Sequence, residues 1–297
     1  MFLQPFISYL LLEKNYSEHT ASAYGKDIQS FIDFCSLEYG LNDISNIEYT
    51  LIRSWIVSLV NEELSNRSVN RKVASLKAYY KFLQRIGEIK TNPLVKHKAL
   101  KTSKKIEVPF SEEEMQRILS QLPFDDDFEG KRDKLIIELM YTTGIRRSEL
   151  INLKMNDVDL SEKSLKVLGK RNKERIVPML SPTSDLFSTY LEFRNGLEKI
   201  VEMEYIFLTK SGNKIYETLV YRIINGYFSK VSSKVKKSPH ILRHTFATHL
   251  LNKGADLNSV KELLGHSSLA STQVYTHKSI AELKKIHSSA HPRSKKL

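Results

Sequence analysis

The sequence has little of what secreted, membrane-spanning and zinc-binding proteins depend on. It holds one cysteine, Cys35, in 297 residues, which excludes an internal disulfide and a multi-cysteine zinc site and predicts an intracellular protein. No apolar run reaches the roughly 20 residues that a membrane-spanning helix needs. The apolar start MFLQPFISYLLL lacks a basic residue and is closed by Glu13 and Lys14. We therefore interpret it as the first turns of an amphipathic helix and not as a signal peptide.

Motifs for nucleotide and metal chemistry are missing as well. There is no G-x-x-x-x-G-K-[ST] loop, no G-x-G-x-x-G and no H-E-x-x-H, so nothing indicates NTP hydrolysis or a metalloprotease. His240, His244 and His249 lie at helical spacing, but no carboxylate or thiolate accompanies them at ligand spacing. The acidic run 125–127 is typical of a solvated loop. We expect a protein that needs no cofactor, neither ATP nor a metal.

What the sequence has in excess is positive charge. Lys and Arg number 46 against 34 Asp and Glu, which gives a net charge of +12. Between Ser65 and Lys105 there are 12 basic residues and one acid, Glu88, so nearly the whole excess lies in one stretch. A solvated helix face followed by a basic linker is the ordinary interpretation, but clustering this dense favours a nucleic-acid partner.

The length favours two domains, and the first hundred residues have helical patterns. After Ser17, a candidate N-cap, apolar residues recur on one face through Cys35, and a second helix has an apolar stripe from Val69 to Leu83. Its basic residues fall largely off that stripe and can face a phosphate backbone. The candidate DNA contacts are Arg67, Arg71, Lys72, Lys77 and Lys81. We interpret Tyr79 and Tyr80 as core residues.

Linker, helix-capping and turn residues in the sequence indicate the domain organisation. We expect a helical DNA-binding domain over 1–100, a linker over 101–108 and a catalytic domain over 109–297, opened by a capping box at Ser111. The second domain is predicted to be mainly helical, including 241–251 and 257–264, with Gly254 and Gly265 as helix stops. Ser164–Leu168 and Arg175–Met179 predict a β-hairpin around turn residues 169–173. The fold class is therefore mainly α with a small β-sheet.

Four segments of this second domain concentrate cations, imidazoles and a tyrosine. They are TTGIRRSEL (142–150), GKRNKER (169–175), PHILRHTFATHLL (239–251) and LGHSSLASTQVYTH (264–277). Arg146 and Arg243 can hold the non-bridging oxygens of one phosphate, and His240 lies three residues before Arg243, on the same helix face. Lys170 at a hairpin tip can protonate a leaving oxygen, and Tyr275 is a candidate nucleophile.

The order and spacing of these segments resemble the tyrosine recombinases of the lambda-integrase type, and in particular the bacterial Xer-type recombinases that resolve chromosome dimers. The N-terminal segments YSEHTASAYGKDIQSFIDF and NRKVASLKAYYKFLQRIGEIKTNP resemble the core-binding domain of that group. The family pattern is Arg, Lys, His-x-x-Arg, His or Trp, then Tyr. It falls on Arg146, Lys170, His240, Arg243, His266 and Tyr275.

The resemblance implies a reaction and a role for each residue. Tyr275 would attack a scissile phosphate in duplex DNA and form a 3′-phosphotyrosyl link, with Lys170 as the general acid toward the 5′-oxygen. Arg146 and Arg243 would clamp the phosphate, while His240 and His266 would assist proton movement. Glu149 would orient Arg146, and His244 and His249 would be structural.

Two departures from the family pattern leave alternatives open. Arg147 follows Arg146 where relatives often have an apolar residue, so Arg147 is an alternative for the first arginine. Arg171 replaces the second glycine of the usual Gly-Lys-Gly hairpin, and Lys173 is an alternative to Lys170 as the general acid.

The resemblance also implies partners and an architecture. Two domains would clamp duplex DNA, and a homo- or hetero-tetramer would act on paired recombination sites. The enzyme would work in the cytoplasm, at the nucleoid, and an activating protein is a further possible partner. The last helix, near 279–288, would dock on a neighbour through Ile280, Leu283 and Ile286, or else pack on its own domain. Integration of a mobile element, DNA relaxation without recombination and DNA binding without catalysis are the alternative functions.

Overall fold

A computed structural model describes residues 2–103, 107–169, 174–234, 236–265 and 277–294, with the backbone alone for 277–280. The chain divides into two compact units, Met1–Lys105 and Ile106–Leu297. We describe each unit by itself. None of the helices within the described ranges is both long and apolar enough to cross a lipid bilayer.

The N-terminal unit is helical throughout. Its helices are α1 (Leu3–Ser8, continued by the π-helical turn Tyr9–Glu13), α2 (Glu18–Tyr39), α3 (Tyr49–Asn61) and α4 (Asn66–Arg85). Two serines cap these helices, since Ser17 Oγ accepts from the Thr20 amide and Ser65 Oγ from the Ser68 amide, which satisfies amides that have no partner within the helix. The predicted N-cap at Ser17 is confirmed.

The core of this unit lies between α2, α3 and α4. The rings of Phe31 and Trp55 are 4.9 Å apart between centroids, and both side chains are buried. Tyr79 and Tyr80 are 1% and 0% exposed, and the Tyr80 hydroxyl donates to the Ile44 carbonyl. The interpretation of both tyrosines as core residues is confirmed.

The second unit is mainly helical with one small sheet, as predicted. Its elements are α5 (Glu112–Gln116, continued by the π-helical turn Arg117–Gln121), α6 (Phe128–Thr143), α7 (Arg147–Ile151), β1 (Val158–Asp159), β2 (Ser164–Leu168), β3 (Glu174–Pro178), α8 (Ser181–Asn195), α9 (Glu217–Ser229), α10 (Pro239–Asn252), α11 (Leu257–Leu264) and α12 (His277–Ala290). The capping box predicted at Ser111 is present.

The sheet is antiparallel in the order β1–β2–β3. Leu165 pairs with Val177 and Val167 with Arg175, so the hairpin predicted between Ser164–Leu168 and Arg175–Met179 is confirmed. The strand β1 was not predicted, because two residues are too few to show an alternating pattern.

Helix α6 runs through the middle of the second unit. It is buried on nearly all sides, for example at Leu135, Ile136 and Met140, as expected of a helix surrounded by other elements. It ends at Gly144, whose φ of +61° is left-handed. A side chain there would bring its Cβ within 2.4 Å of the Phe246 ring, so glycine permits both the turn and the close approach of α10.

The last helix packs on its own unit, the second of the two arrangements expected from the sequence. Leu283 is buried in a cluster that includes Phe246 and Leu263. His287 and His291, which are 1% exposed, hydrogen-bond through Nε2 to the carbonyls of Thr142 and Tyr141. Two neutral imidazoles therefore join the end of the chain to the end of α6.

This arrangement predicts that α12 loosens in acid. Burial lowers the pKa of His287 to about 4 and that of His291 well below its usual value, whereas both titrate near 6.5 in an unfolded chain. The two neutral histidines therefore stabilise the packed α12 fully above pH 6.5. Below that pH this contribution to the free energy of unfolding falls by about 1.4 kcal/mol per histidine per pH unit. Hydrogen exchange of the α12 amides, corrected for the intrinsic rate, should show more opening at pH 5.5 than at 7.5.

The double variant His287→Gln/His291→Gln is the control for that experiment, because the glutamine amide nitrogen matches the position of the histidine Nε2. Its amide groups can still donate hydrogen bonds but do not titrate, so its opening should not change over this pH range. An equal pH response in the variant and the unaltered protein would contradict the assignment.

Candidate active site and DNA-binding helix

The described candidate catalytic residues come from two places in the second unit. Arg146 is the residue just before α7, two positions after Gly144. His240 and Arg243 lie in α10, in its first two turns. The predicted general acid Lys170 and its alternative Lys173 lie outside the described residues, and so do His266 and Tyr275.

Arg146 and Arg147 point to different partners. Arg146 Nη1 donates to Glu149 Oε1 at 2.7 Å and Nη2 donates to the Gly265 carbonyl at 3.0 Å. Arg147 instead pairs with Glu217 in α9. The structure therefore joins Arg146, and not Arg147, to the end of α11.

Arg243 reaches the same place from α10. Its guanidinium donates to the carbonyls of Gly144 and Leu264. Burial, together with repulsion from the neighbouring Arg146 cation, lowers the pKa of Arg243 to about 10. Because that value lies well above neutral pH, Arg243 remains a cation.

The carboxylate of Glu149 lies behind Arg146 and is 2% exposed. Its Oε1 accepts from Arg146 and Arg175, and its Oε2 accepts from Arg175 and from the Arg146 backbone amide. These four donors fill the acceptor sites of both oxygens. Burial alone would raise the pKa of Glu149, but the bonds and charge of Arg175, followed by those of Arg146, hold it below its usual range.

Three arginines thus meet at the carboxyl end of α11. Arg175 Nε donates to the Leu263 carbonyl at 3.2 Å, while Arg243 and Arg146 bind the next two carbonyls, of Leu264 and Gly265. The last carbonyls of a helix have no partner within it and carry the negative end of its dipole, so cations are stabilising there. We call these three side chains with Glu149 the arginine cluster.

The arginine cluster holds more positive than negative charge. It has three guanidiniums, two of which bond to its one ionised carboxylate, and 35% of the Arg146 side chain is exposed. A phosphodiester carries one negative charge and two non-bridging oxygens that match guanidinium donors. The described part of the site is therefore suited to bind a phosphate and to stabilise charge that develops on its oxygens.

The three candidate histidines of α10 have different surroundings. His240 is 75% exposed, and its Nε2 lies 3.2 Å from Glu107 Oε2, so it is held outside the arginine cluster, whereas Arg243 is half-buried within it. His249 is buried between the Tyr141 hydroxyl and the Phe110 carbonyl, which fits a structural role. His244 is exposed, which does not fit the structural role that the resemblance implied.

Within the described ranges, no three His, Cys, Asp or Glu side chains are grouped as metal ligands. In the acidic run 125–127, Asp127 accepts from the Gly130 amide at the start of α6 and Asp126 pairs with Lys131. These contacts agree with the interpretation of the run as an ordinary loop.

Arg175 is the member of the arginine cluster that sequence reasoning missed. The sequence pattern identifies it only as the start of a strand. The available signal was its position, because Arg175 and Val177 are both inward-facing in β3, and a charged residue on the buried face of a strand needs a partner.

The candidate DNA contacts lie on α4 of the N-terminal unit. Arg67, Arg71, Lys77 and Lys81 are exposed, and Lys72 is half-buried, whereas the apolar stripe from Val69 to Leu83 is buried. The helix therefore separates an apolar face from a cationic one, as predicted.

Two of these cations also have a partner within the fold. Asp27 of α2 is 3% exposed. Its carboxylate accepts from Arg71 and from the Ser75 hydroxyl, and Lys72 Nζ lies 3.7 Å away. Asp27 therefore restrains Arg71 and Lys72, while the Arg71 side chain stays 53% exposed.

Comparison with known proteins covers both units. Residues 110–282 match the phage integrase family, and residues 3–87 match the N-terminal SAM-like domain of phage integrases. The chain is 40% identical over 299 residues to the tyrosine recombinase XerC of Oceanobacillus iheyensis, which covers 99% of the chain and 97% of that protein. It is 38% identical over 293 residues to XerC of Staphylococcus epidermidis, covering 99% of the chain and 98% of that protein.

Solved structures share the fold. The Tn1549 transposon integrase in complex with transposon right end DNA matches with a TM-score of 0.72 at 21% identity, over 96% of this chain and 98% of that chain. The XerH site-specific recombinase bound to a palindromic difH substrate matches with a TM-score of 0.69 at 19% identity, over 94% of this chain and 79% of that chain.

The cationic face of α4 predicts a change in the salt dependence of DNA binding. Replacing Lys77 and Lys81 together by alanine should weaken binding to duplex DNA, because two phosphate contacts and their counterion release are lost. The slope of log K against log salt should become shallower by about 1.8, at about 0.9 per contact. Fluorescence anisotropy titrations at several salt concentrations measure the slope.

The matched control for that pair is Arg53→Ala. Arg53 is an exposed cation of α3 outside the basic stretch 65–105, and its loss should leave the slope nearly unchanged. An unchanged slope in the Lys77/Lys81 variant would contradict the placement of DNA on α4.

Proposed function

The chain belongs to the phage integrase family of tyrosine recombinases, and we propose that within this family it resolves chromosome dimers. It is a site-specific DNA recombinase, an enzyme that cleaves and rejoins duplex DNA through a phosphotyrosyl intermediate. The observation that supports this chemistry most directly is the arginine cluster, in which three cations and one carboxylate meet at the end of α11.

Within that reaction, we propose roles for the residues in contact with the phosphate. Arg146 and Arg243 bind the non-bridging oxygens and stabilise the charge that develops on them. The Tyr275 oxygen attacks phosphorus, the bond from phosphorus to the 5′-oxygen breaks, and a 3′-phosphotyrosyl link forms. Lys170 donates a proton to the departing 5′-oxygen, and the tyrosine proton is lost as the phenol attacks.

The second half of the reaction is the same exchange in reverse. The 5′-hydroxyl of a partner strand attacks the phosphotyrosine, tyrosine leaves, and the DNA backbone is restored. The phosphodiester bond is exchanged and not hydrolysed, so the joining step needs no external energy source. We assign His240 and His266 to proton movement and transition-state contacts around this exchange.

Geometry favours Arg146 over its alternative as the phosphate-binding arginine. Arg146 shares Glu149 with Arg175 and lies beside Arg243. Arg147 is engaged with Glu217 on α9. For the general acid we keep Lys170, which matches the family pattern, with Lys173 as the alternative.

The partner of the enzyme is duplex DNA, and we propose that four protomers, of one or two kinds, act on two paired sites at the nucleoid in the cytoplasm. The N-terminal unit would be the core-binding domain and 101–108 the linker. The resemblance assigns the last helix to a contact between protomers. Since Leu283 is buried in its own unit, a contact made through Leu283 would need α12 to release it first.

Relatives named tyrosine recombinase XerC, matched along nearly the whole chain, support dimer resolution. Integration of a mobile element uses the same chemistry and is the outcome that the cellular experiment below must separate from it. The intact set of Arg146, Lys170, His240, Arg243, His266 and Tyr275 argues against a non-catalytic DNA-binding protein.

The two adjacent arginines make a matched pair for a test of the site. Arg146→Ala should lower the single-turnover rate of strand cleavage by about 10² to 10³, the usual cost of a lost transition-state donor. Arg147→Ala should stay within about fivefold of the unaltered protein, because it removes only a partly exposed ion pair. Cleavage of a nicked duplex that carries the target site measures both. The reverse ranking would move the catalytic role to Arg147.

Covalent trapping in the source cells tests the function itself. Cells are lysed in denaturant, protein–DNA adducts are isolated, and the attached DNA ends are sequenced, with Tyr275→Phe as control. We expect adducts at one chromosomal locus that are absent in the variant, because phenylalanine lacks the attacking oxygen.

Other results would change the conclusion in different ways. Adducts at the ends of a mobile element would keep the chemistry and replace dimer resolution by integration. Adducts that persist in the Tyr275→Phe strain would contradict the choice of nucleophile. The absence of adducts in both strains would contradict the proposal as a whole.

A further inference from the structure

Arg175 is a buried arginine for which the reaction above has no role. It is 5% exposed and is the second residue of β3. Three of its nitrogens are bound, with Nη1 and Nη2 donating to the two oxygens of Glu149 at 2.7 and 2.9 Å. Its Nε donates to the Leu263 carbonyl. One planar side chain thus joins the strand, the α7 carboxylate and the end of α11.

The paired bonds decide the state of Glu149. A buried carboxylate is costly unless it is paired and hydrogen-bonded. Arg175 supplies two of its four hydrogen bonds and a fully buried charge, whereas the other cation, Arg146, is partly exposed at 35%. With Glu149 held ionised, its two carboxylate oxygens accept hydrogen bonds from the Arg146 guanidinium and from the Arg146 backbone amide.

Arg175 also shapes the backbone at the end of α11. Gly265 has a left-handed φ of +64°, and a Cβ there would lie 3.0 Å from the Arg175 Cδ, Nε and Nη1 atoms. The backbone therefore lies so near the guanidinium that a side chain at position 265 would push against Arg175. In the sequence, His266 directly follows this glycine, and Lys170 precedes Arg175 by five residues.

We propose that Arg175 is a positioning residue for the phosphoryl-transfer step. It fixes Glu149, and through Glu149 also Arg146, against the end of α11. The inference rests on the proposed function and deepens it. Arg175 does not touch the DNA. It acts by removing the freedom of Arg146 to swing away from the phosphate, and a misplacement of about 1 Å at a catalytic group can cost about 10²-fold in rate.

A buried arginine can also be needed for stability alone, and the chain offers a matched example. Arg194 of α8 is 3% exposed and donates to the carbonyls of Ile206, Met203 and Tyr205. It has no contact with the arginine cluster among its hydrogen bonds. Arg194→Lys therefore reports the general cost of shortening a buried guanidinium in this unit.

The test compares Arg175→Lys with Arg194→Lys in the full-length protein. DNA affinity, melting temperature and the single-turnover cleavage rate are measured on a nicked duplex with the target site, from pH 5.5 to 8.5. We expect Arg175→Lys to slow cleavage about 10²-fold, with DNA affinity within about twofold and a melting temperature close to that of Arg194→Lys.

The pH profile separates positioning from stability. Lysine cannot form the paired bonds, so the pKa of Glu149 should rise toward neutral pH in the variant. Its residual rate should then fall in acid, as protonated Glu149 releases Arg146, and adding Glu149→Gln to Arg175→Lys should remove that fall.

Each other result overturns the inference. Cleavage by Arg175→Lys within threefold of the unaltered protein would show that Arg175 does not position Arg146. Losses equal to those of Arg194→Lys, with a pH-independent ratio of rates, would assign Arg175 to stability alone. An unaltered protein that binds the site without forming an adduct would contradict the proposed function, and the inference would fall with it.

Discussion

The ion pair between Glu149 and Arg175 is the interaction on which the rest of the candidate site depends. Three guanidiniums within one cluster repel one another, and burial together with this repulsion from Arg146 lowers the pKa of Arg243. An ionised carboxylate in their midst offsets part of the repulsion and supplies acceptors in fixed directions. Remove that carboxylate, and the cations would keep only backbone carbonyls to hold them.

The fold brings these groups together through the ends of its elements. Gly144 ends α6 two residues before Arg146, and Gly265 ends α11 beside Arg175. A Cβ at Gly144 would clash with the Phe246 ring, and a Cβ at Gly265 would press against the Arg175 side chain. Close packing around these two helix ends therefore holds the charged side chains in fixed positions. Preorganised binding of a phosphate requires such fixed charges.

Helix α10 and the β2–β3 hairpin could be predicted from the sequence because their signals are local, namely periodicity and turn residues. The family and its candidate residues could be predicted because the motifs stand in one order along the chain. The partners of Arg175 and Asp27 could not, because each ion pair joins residues distant in sequence, 26 positions apart for Arg175 and Glu149 and 44 for Asp27 and Arg71. The exposed position of His240 beside Glu107 could not be predicted either, because these two residues are also distant in sequence.

The central claim is that this cluster serves an attack on a DNA phosphate by Tyr275. The most direct measurement is to trap the purified protein on a nicked duplex, digest the adduct with protease and nuclease, and locate the linked residue by mass spectrometry. The account predicts a nucleotide remnant on the peptide that contains Tyr275, joined through a 3′-phosphate. A remnant on another tyrosine, or linkage through a 5′-phosphate, would contradict it.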